Sequence, residues 1–291
     1  MRIIQQVFDM SEVILANDPI HVWVNPEGIQ CVANSMKVDG KKDFYESEPE
    51  QEPKSRHHIE IIKELVASSI NYCYWYGKHD IRPNGISSSM MYDDVNSVFD
   101  DGKALMLERR IQDLIEVLSK HRYTLLEKRK KHLLELIEGR KCEQFASLVY
   151  SLRDDDDNVL FEEMIRWFQG FASDQFLKRA SLFFIQLYRK FGWFKDTYME
   201  RLFVPADYQV PKILRHFDCI RYSDKLSKKI KLGKIIRKHS LEELQIRAAT
   251  IKACNSLKLL TGWNISDIDT YLWTQRKLSD NPFHLTYTTD Y

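Results

Sequence analysis

Residues 203–224 read FVPADYQVPKILRHFDCIRYSD, and this stretch predicts both a helix start and a candidate catalytic acid. Pro205 favours an extended conformation at Val204, whereas Pro211 is tolerated in the first turn of a helix. The pattern therefore predicts a helix that begins near Asp207. A carboxylate there either caps the free N–H groups of the first turn or serves catalysis, and the residues alone leave both interpretations open.

The composition predicts a globular protein without a strong charge. The chain has 291 residues, of which 44% are hydrophobic, and Lys and Arg number 43 against 42 Asp and Glu. This balance gives no basic field that would favour a nucleic-acid partner. The five cysteines show no metal-ligand spacing, which indicates reduced thiols and no zinc site. Because the N-terminal apolar run carries acids, it predicts neither a signal peptide nor a membrane span, and we expect a soluble, cytoplasmic protein.

Long amphipathic runs with only 10 glycines and 8 prolines predict a mainly helical single domain over residues 1–291. Two short β-like runs at 21–24 and 29–32 are typical of a β-hairpin, to which the alternating tail at 282–291 would add a strand. The charged segment at 37–56 is predicted to be a surface loop.

Three polar residues inside apolar patterns are candidates for a site. Asn71 precedes an aromatic cluster at residues 72–76, which belongs either to the core or to a stacking wall for a planar ring. Lys178 interrupts an apolar helix and either reaches the surface or meets an anion. Arg247 lies beside the apolar stripe of a helix that starts after Ser240, where the alternatives are a structural ion pair and a ligand contact.

Several of these stretches resemble the queuosine salvage family, whose members are also described as queuosine 5′-phosphate N-glycosylases or hydrolases. The similar motifs occur in family order over most of the chain. They are Asn71-Tyr-Cys-Tyr-Trp75, Lys178-Arg-Ala180, Pro205-Ala-Asp-Tyr-Gln-Val-Pro211, Arg221-Tyr-Ser-Asp224, Gln245-Ile-Arg-Ala248, Asp269-Thr-Tyr-Leu-Trp273 and Pro282-Phe-His284.

The resemblance implies a compact helical fold related to helix-hairpin-helix DNA glycosylases. It also implies hydrolysis of queuosine 5′-monophosphate to queuine, which is salvaged for tRNA modification, with no metal or organic cofactor. Cleavage of an N-glycosidic bond builds positive charge on the ribose, and a nearby carboxylate stabilises that charge. We assign this role to Asp207.

The remaining candidates would bind the substrate. The 5′-phosphate needs a cation, for which Lys178 is the candidate, and the leaving base needs an edge-reader and stacking partners. The candidates for the base and for further substrate contacts are Asn71, Trp75, Tyr208, Arg247, Asp269 and Trp273. Two alternatives stay open, because both tryptophans could belong to the core and Asp269 could cap the last helix.

Three departures from the family pattern bear on specificity. Gln245 stands where the family has Glu, Gln209 stands where Arg is common, and Val204-Pro205 replaces the usual Met-Phe. A related deazapurine nucleotide or nucleoside is therefore an alternative substrate. Two other functions remain open. One is binding of tRNA or DNA through the basic runs at 128–131 and 225–238, and the other is a non-catalytic helical scaffold. A closed, aromatic-walled cavity at Asp207 would argue against the scaffold.

Overall fold

The computed structural model describes residues 2–16, 20–41, 54–76, 85–100, 106–154 and 159–291. The helices are α1 (Arg2–Ala16), α2 (Pro26–Asp39), α3 (Lys54–Ser69), α4 (Ser88–Phe99), α5 (Leu107–Lys120), α6 (Leu126–Ile137), α7 (Lys141–Ser151), α8 (Val159–Trp167), α9 (Gln169–Ala172), α10 (Lys178–Phe191), α11 (Asp196–Arg201), α12 (Gln209–His216), α13 (Asp224–Lys231), α14 (Leu241–Thr261) and α15 (Ile265–Gln275). Short 3-10 helices at Glu138–Arg140 and Arg276–Leu278 follow α6 and α15, and the strands are β1 (Val22–Val24) and β2 (Ile220–Tyr222). The prediction of a mainly helical fold with a small sheet is confirmed. Within the described ranges, no helix is long and apolar enough to cross a membrane.

Helix α14 is the central element, because α1, α2, α12, α15 and β1 all pack around it. Its N-cap Ser240 accepts a hydrogen bond from the first turn, as the sequence predicts. Ala248, Ala249 and Ala253 are fully buried, and their small side chains let the neighbouring elements approach closely. A polar residue on this helix, such as Arg247, therefore has to find its partners inside the protein.

The small sheet differs from the predicted hairpin. β1 pairs with β2 in antiparallel register, and residues 29–32 belong to α2. Pro26 occupies the first turn of α2, and a Cβ on Gly28 would lie 2.2 Å from the carbonyl oxygen of Asp218. The hairpin prediction is wrong because Pro26 starts a helix and Gly28 permits close backbone packing, although both residues are also typical of turns.

The tail at residues 282–291 does not form a strand with β1. Leu285 makes one parallel bridge with Ile235, and the N–H of Cys73 donates to the carbonyl of Tyr291 at 3.0 Å. The tail therefore packs beside the segment that follows α3, a pairing that a strand pattern alone could not specify.

Helices α2 and α3 extend into both ends of the segment at 37–56, which was predicted to be a surface loop. Residues 37–39 complete α2, and residues 54–56 begin α3. Between them, residues 42–53 lie outside the described residues.

Candidate active site

A cavity of about 470 Å³ lies between the end of α3, the start of α4, α10, the segment before α12 and α15. A volume of this order suits a nucleotide-sized ligand. Six of the eight predicted site residues line the cavity, namely Asn71, Lys178, Asp207, Tyr208, Asp269 and Trp273. The other two, Trp75 and Arg247, are buried and are not among the residues that line it.

Asp207 lies two residues before the start of α12 and is fixed by that helix. Its Oδ1 accepts the N–H of Gln209 at 2.7 Å and the N–H of Val210 at 3.1 Å. The predicted cap is therefore present, yet the half-buried side chain also lines the cavity. Burial raises the pKa of the Asp207 carboxyl above its ordinary value, although Lys178 and the two N–H groups act to lower it. A carboxylate partly withdrawn from water interacts strongly with any positive charge that forms beside it.

Lys178 begins α10, and only 3% of its surface is exposed. Its Nζ donates to the backbone carbonyl of Asn71 at 3.0 Å and to the side-chain Oδ1 of Asn71 at 3.4 Å. Burial lowers the pKa of Lys178 to about 8, and the negative charge of Asp207 acts in the opposite direction. The ammonium group is therefore held in the cavity wall within electrostatic reach of Asp207.

Three buried cations hold the backbone that follows α3. Arg129, Lys178 and Arg179 donate to the carbonyl groups of residues 69–73. Ser69 is the last residue of α3, and the other four carbonyls belong to the segment after it, where buried acceptors also need hydrogen-bond partners. The helix ends at Ser69, and the segment that follows supplies one wall of the cavity.

Asp269 lies within α15 and is 4% exposed. Its Oδ2 accepts a hydrogen bond from Nη2 of Arg189 at 2.9 Å, and its Oδ1 has no hydrogen bond within the described residues. Asn264 caps α15, because its Oδ1 accepts the N–H of Asp267. The alternative that Asp269 caps this helix is therefore wrong, and the carboxylate is left to line the cavity.

Aromatic side chains give the cavity flat surfaces. Tyr208 is 7% exposed and packs against Phe283, with their ring centroids 4.6 Å apart. Trp273 is 38% exposed, and the guanidinium group of Arg276 lies over its indole ring. Rings at a partly open cavity are typical of sites that bind planar bases.

Trp75 and Arg247 are placed differently from the other six candidates. Trp75 is 1% exposed and packs on Tyr287 with ring centroids 4.6 Å apart, as the core interpretation predicts. Arg247 is also 1% exposed, and it forms the predicted structural ion pair with Asp174 at 2.7 Å. The positions of these two side chains do not support direct contact with a ligand in the cavity.

Several polar residues of the cavity were not predicted from the sequence. They are Ser87, Ser88, Ser89, Tyr92, Gln186, Arg189 and Arg276. Ser87 caps α4 by accepting the N–H of Met90 at 3.1 Å, so the serine run was a readable signal for a helix start. The serine run does not indicate which other elements pack against the start of α4, so it could not place these residues in a cavity.

The departures from the family pattern lie in different places. Gln245 is buried in α14, and its Oε1 accepts the N–H of His21 at 3.0 Å, so this side chain supports the start of β1. Gln209 and Pro205 line the cavity, which also includes Asp207. Gln209 and Pro205, unlike Gln245, are therefore placed where they could contact a ligand in the cavity.

Comparison with known proteins gives consistent matches. The family model described as "Queuosine salvage protein" matches residues 86–290, a range that contains every predicted site residue except Asn71 and Trp75. A protein from Dictyostelium discoideum named queuosine 5′-phosphate N-glycosylase/hydrolase is 24% identical over 273 residues, which cover 82% of this chain and 81% of the relative. A protein of the same name from Sphaerobacter thermophilus is 32% identical over 130 residues, which cover 40% of each chain.

Proposed function

Because the chain belongs to the queuosine salvage protein family, we propose that it hydrolyses the N-glycosidic bond of queuosine 5′-phosphate and releases queuine. The observation that carries the assignment of the site is the position of Asp207. This half-buried carboxylate lines a nucleotide-sized cavity and has one oxygen held by α12. Its other oxygen, Oδ2, has no hydrogen bond within the described residues and is left to act on a substrate.

Asp207 stabilises the ribose as the bond to the base breaks. Positive charge then develops on the sugar ring, and a fixed carboxylate lowers the barrier by electrostatic attraction or by direct attack on the anomeric carbon. Water supplies the oxygen that becomes bonded to the anomeric carbon, and its proton balances the charge on the leaving base. Since Oδ1 is already held by two N–H groups, the carboxylate needs little reorganisation during the reaction.

The other residues of the cavity bind the two ends of the nucleotide. Asp269 Oδ1, which has no hydrogen bond to the described part of the chain, accepts one from a donor on the edge of the base, and Asn71 offers its side-chain amide. Tyr208 and Trp273 supply the flat surfaces for stacking. Lys178 is the cation for the 5′-phosphate, because its buried ammonium group is hydrogen-bonded to an amide and a carbonyl and not to a carboxylate.

Two further properties of the chain support a proposal for its compartment and its type of partner. All five cysteines are free thiols, which is typical of the reducing cytoplasm, and we propose that compartment. The formal net charge of +1 favours a small-molecule substrate over a nucleic acid as the partner.

The proposal is tested by incubating the protein with queuosine 5′-phosphate and measuring free queuine by chromatography. We expect Asp207→Asn to lower kcat by at least about 100-fold, the usual cost of removing one preorganised electrostatic group. Asp94→Asn is the matched control, because Asp94 is a buried carboxylate outside the cavity lining that accepts the Tyr123 hydroxyl at 2.8 Å.

Two results would contradict the proposal. The first is that the wild-type protein releases no queuine from the nucleotide or from the nucleoside. The second is that Asp207→Asn, folded as judged by its circular dichroism spectrum, turns over as fast as Asp94→Asn. In the same assay, Lys178→Met should lower kcat/KM more for the nucleotide than for the nucleoside, because only the nucleotide carries the phosphate.

A further inference from the structure

Asp174 holds the beginning of α10 and therefore the position of Lys178. The carboxylate is 1% exposed and lies in the turn before the helix. Its Oδ1 accepts the N–H of Phe176 at 3.0 Å, and its Oδ2 accepts the N–H of Lys178 at 2.8 Å. Although burial alone would raise it, the neighbouring Arg247 holds the pKa of Asp174 below its ordinary value, so the carboxylate stays charged.

The same carboxylate also holds Arg247. Nη1 and Nη2 of Arg247 donate to the two oxygens of Asp174 at 2.7 and 2.8 Å. Nε of Arg247 donates to the carbonyl of Ala206 at 3.0 Å, and Ala206 immediately precedes Asp207 in the chain. A planar guanidinium group offers these donors in a fixed arrangement. The distance between the Ala206 carbonyl and the Asp174 carboxylate is therefore fixed by Arg247.

Two aromatic rings fix the plane of the Arg247 guanidinium group. Its central carbon lies 4.5 Å from the ring centroid of Phe176 and 4.6 Å from that of Tyr291. Tyr291 itself lines the cavity. The ion pair is therefore connected by direct contacts to three parts of the cavity wall, which are the start of α10, the segment before α12, and the tail.

These contacts bear on the attraction between Lys178 and Asp207. Lys178 and Asp207 carry opposite charges in a cavity partly shielded from water, where such groups attract each other strongly. If they formed a direct ion pair, the ammonium would neutralise the carboxylate that has to face the ribose. In the structure the hydrogen bonds of the Lys178 ammonium go to Asn71, and those of Asp207 come from the backbone of α12.

We propose that the Asp174–Arg247 ion pair is a positioning device that keeps Lys178 and Asp207 apart, so that each charge remains available to the substrate. The inference rests on the proposed function of the same cavity. Asp174 and Arg247 do not line the cavity, so they act through the backbone at Lys178 and Ala206 and not by touching the nucleotide.

The test compares Arg247→Lys, Asp174→Asn and the control Asp94→Asn. Lysine keeps the positive charge of Arg247, but its single ammonium cannot reproduce the fork that joins both oxygens of Asp174 to the Ala206 carbonyl. We expect kcat to fall by at least about 10-fold in the first two variants with KM nearly unchanged, because a displacement of about 1 Å in a reacting group costs up to 100-fold. Asp94→Asn should keep the wild-type kcat.

A pH profile separates positioning from a merely structural role. If Lys178 moves onto Asp207, the closer positive charge lowers the pKa of that carboxyl, and the acidic limb of the kcat profile shifts to lower pH. We expect this shift in Arg247→Lys and not in Asp94→Asn. An Arg247→Lys protein that is folded, has the wild-type kcat and shows an unshifted acidic limb would overturn the proposal.

The positioning role can still be tested if a variant does not fold or if the protein does not release queuine. If Asp174→Asn does not fold, Arg247→Lys alone decides, because it removes no charge from the interior. If the wild-type protein releases no queuine, the proposed function is wrong. The positioning role is then tested by following the Asp207 carboxyl in an NMR titration of the wild type and Arg247→Lys. A lower pKa in the variant supports the role, and an equal pKa refutes it.

Discussion

Lys178 gives the proposed reaction an alkaline limit. Burial lowers its pKa to about 8, so the ammonium group loses its proton as the pH rises through that value. We expect kcat/KM for the nucleotide to fall above about pH 8, because a neutral amine no longer binds the phosphate. Lys178→Arg should keep its activity to higher pH, since a guanidinium group stays charged. Profiles of kcat/KM against pH check this, and an identical alkaline limb in both proteins would assign the limb to another group.

Asp207 is expected to make the protein less stable at neutral pH. Because burial raises its pKa in the folded state, the folded protein bears a cost when this group is charged, and the cost disappears as the pH falls through the raised pKa. Asp207→Asn removes the charge and still accepts the N–H groups of Gln209 and Val210, so it should raise Tm at pH 7 and lose this advantage towards pH 3. Each kcal/mol gained corresponds to roughly 2 °C in a chain of this size. Thermal unfolding at both pH values measures the effect, and a lower Tm for the variant at pH 7 would contradict it.

Single residues were predictable where the local sequence fixes the backbone. Two prolines predicted a helix that begins near Asp207, and the structure has that helix start, with Asp207 accepting two N–H groups of its first turn. Trp75 and Arg247 were candidates both for substrate contact and for structural roles, and their side chains are directed by partners distant in sequence, Tyr287 and Asp174. No short pattern contains those partners, which is why only contacts in three dimensions separate a residue that lines a cavity from one that lies behind it.

At the scale of an element, α2 depends on one close contact. A Cβ on Gly28 would lie 2.2 Å from the carbonyl oxygen of Asp218, so Gly28→Ala has to push α2 away from the residues before β2. We expect the free energy of unfolding to fall by about 1–3 kcal/mol, as in other overpacked interiors. Cys31→Ala is the control, since Cys31 is exposed on the same helix. Urea unfolding of the two variants checks this, and equal midpoints would show that the contact relaxes without cost.

The helices were more predictable than the sheet. A helix of ten or more residues repeats its apolar pattern several times, and the runs that correspond to α10, α14 and α15 could be recognised from that repetition. β1 and β2 have three residues each and lie almost 200 residues apart in the chain, so neither contains enough pattern to specify its partner. The same limit explains why the tail was assigned to the wrong neighbour.

For the molecule as a whole, we propose that residues 1–291 form one cooperative unit. The larger of two apolar clusters extends from Ile4 in α1 to Leu272 in α15, and α14 packs against elements from both ends of the chain. Urea unfolding followed by circular dichroism and by tryptophan fluorescence should therefore give one midpoint, because the tryptophans are spread from residue 23 to residue 273. Two separate midpoints would indicate two domains.

The cavity wall has a consequence for synthesis of the protein. Its lining residues begin at Asn71 and include Tyr291, so the wall combines parts of the chain that leave the ribosome at very different times. Such distant contacts form late, after the intervening chain has collapsed. A nascent polypeptide that has exposed α10 and Asp207 still lacks the tail against which Arg247 packs. The protein is therefore expected to release queuine only after residues 282–291 have been synthesised. An N-terminal fragment that lacks these residues should be inactive.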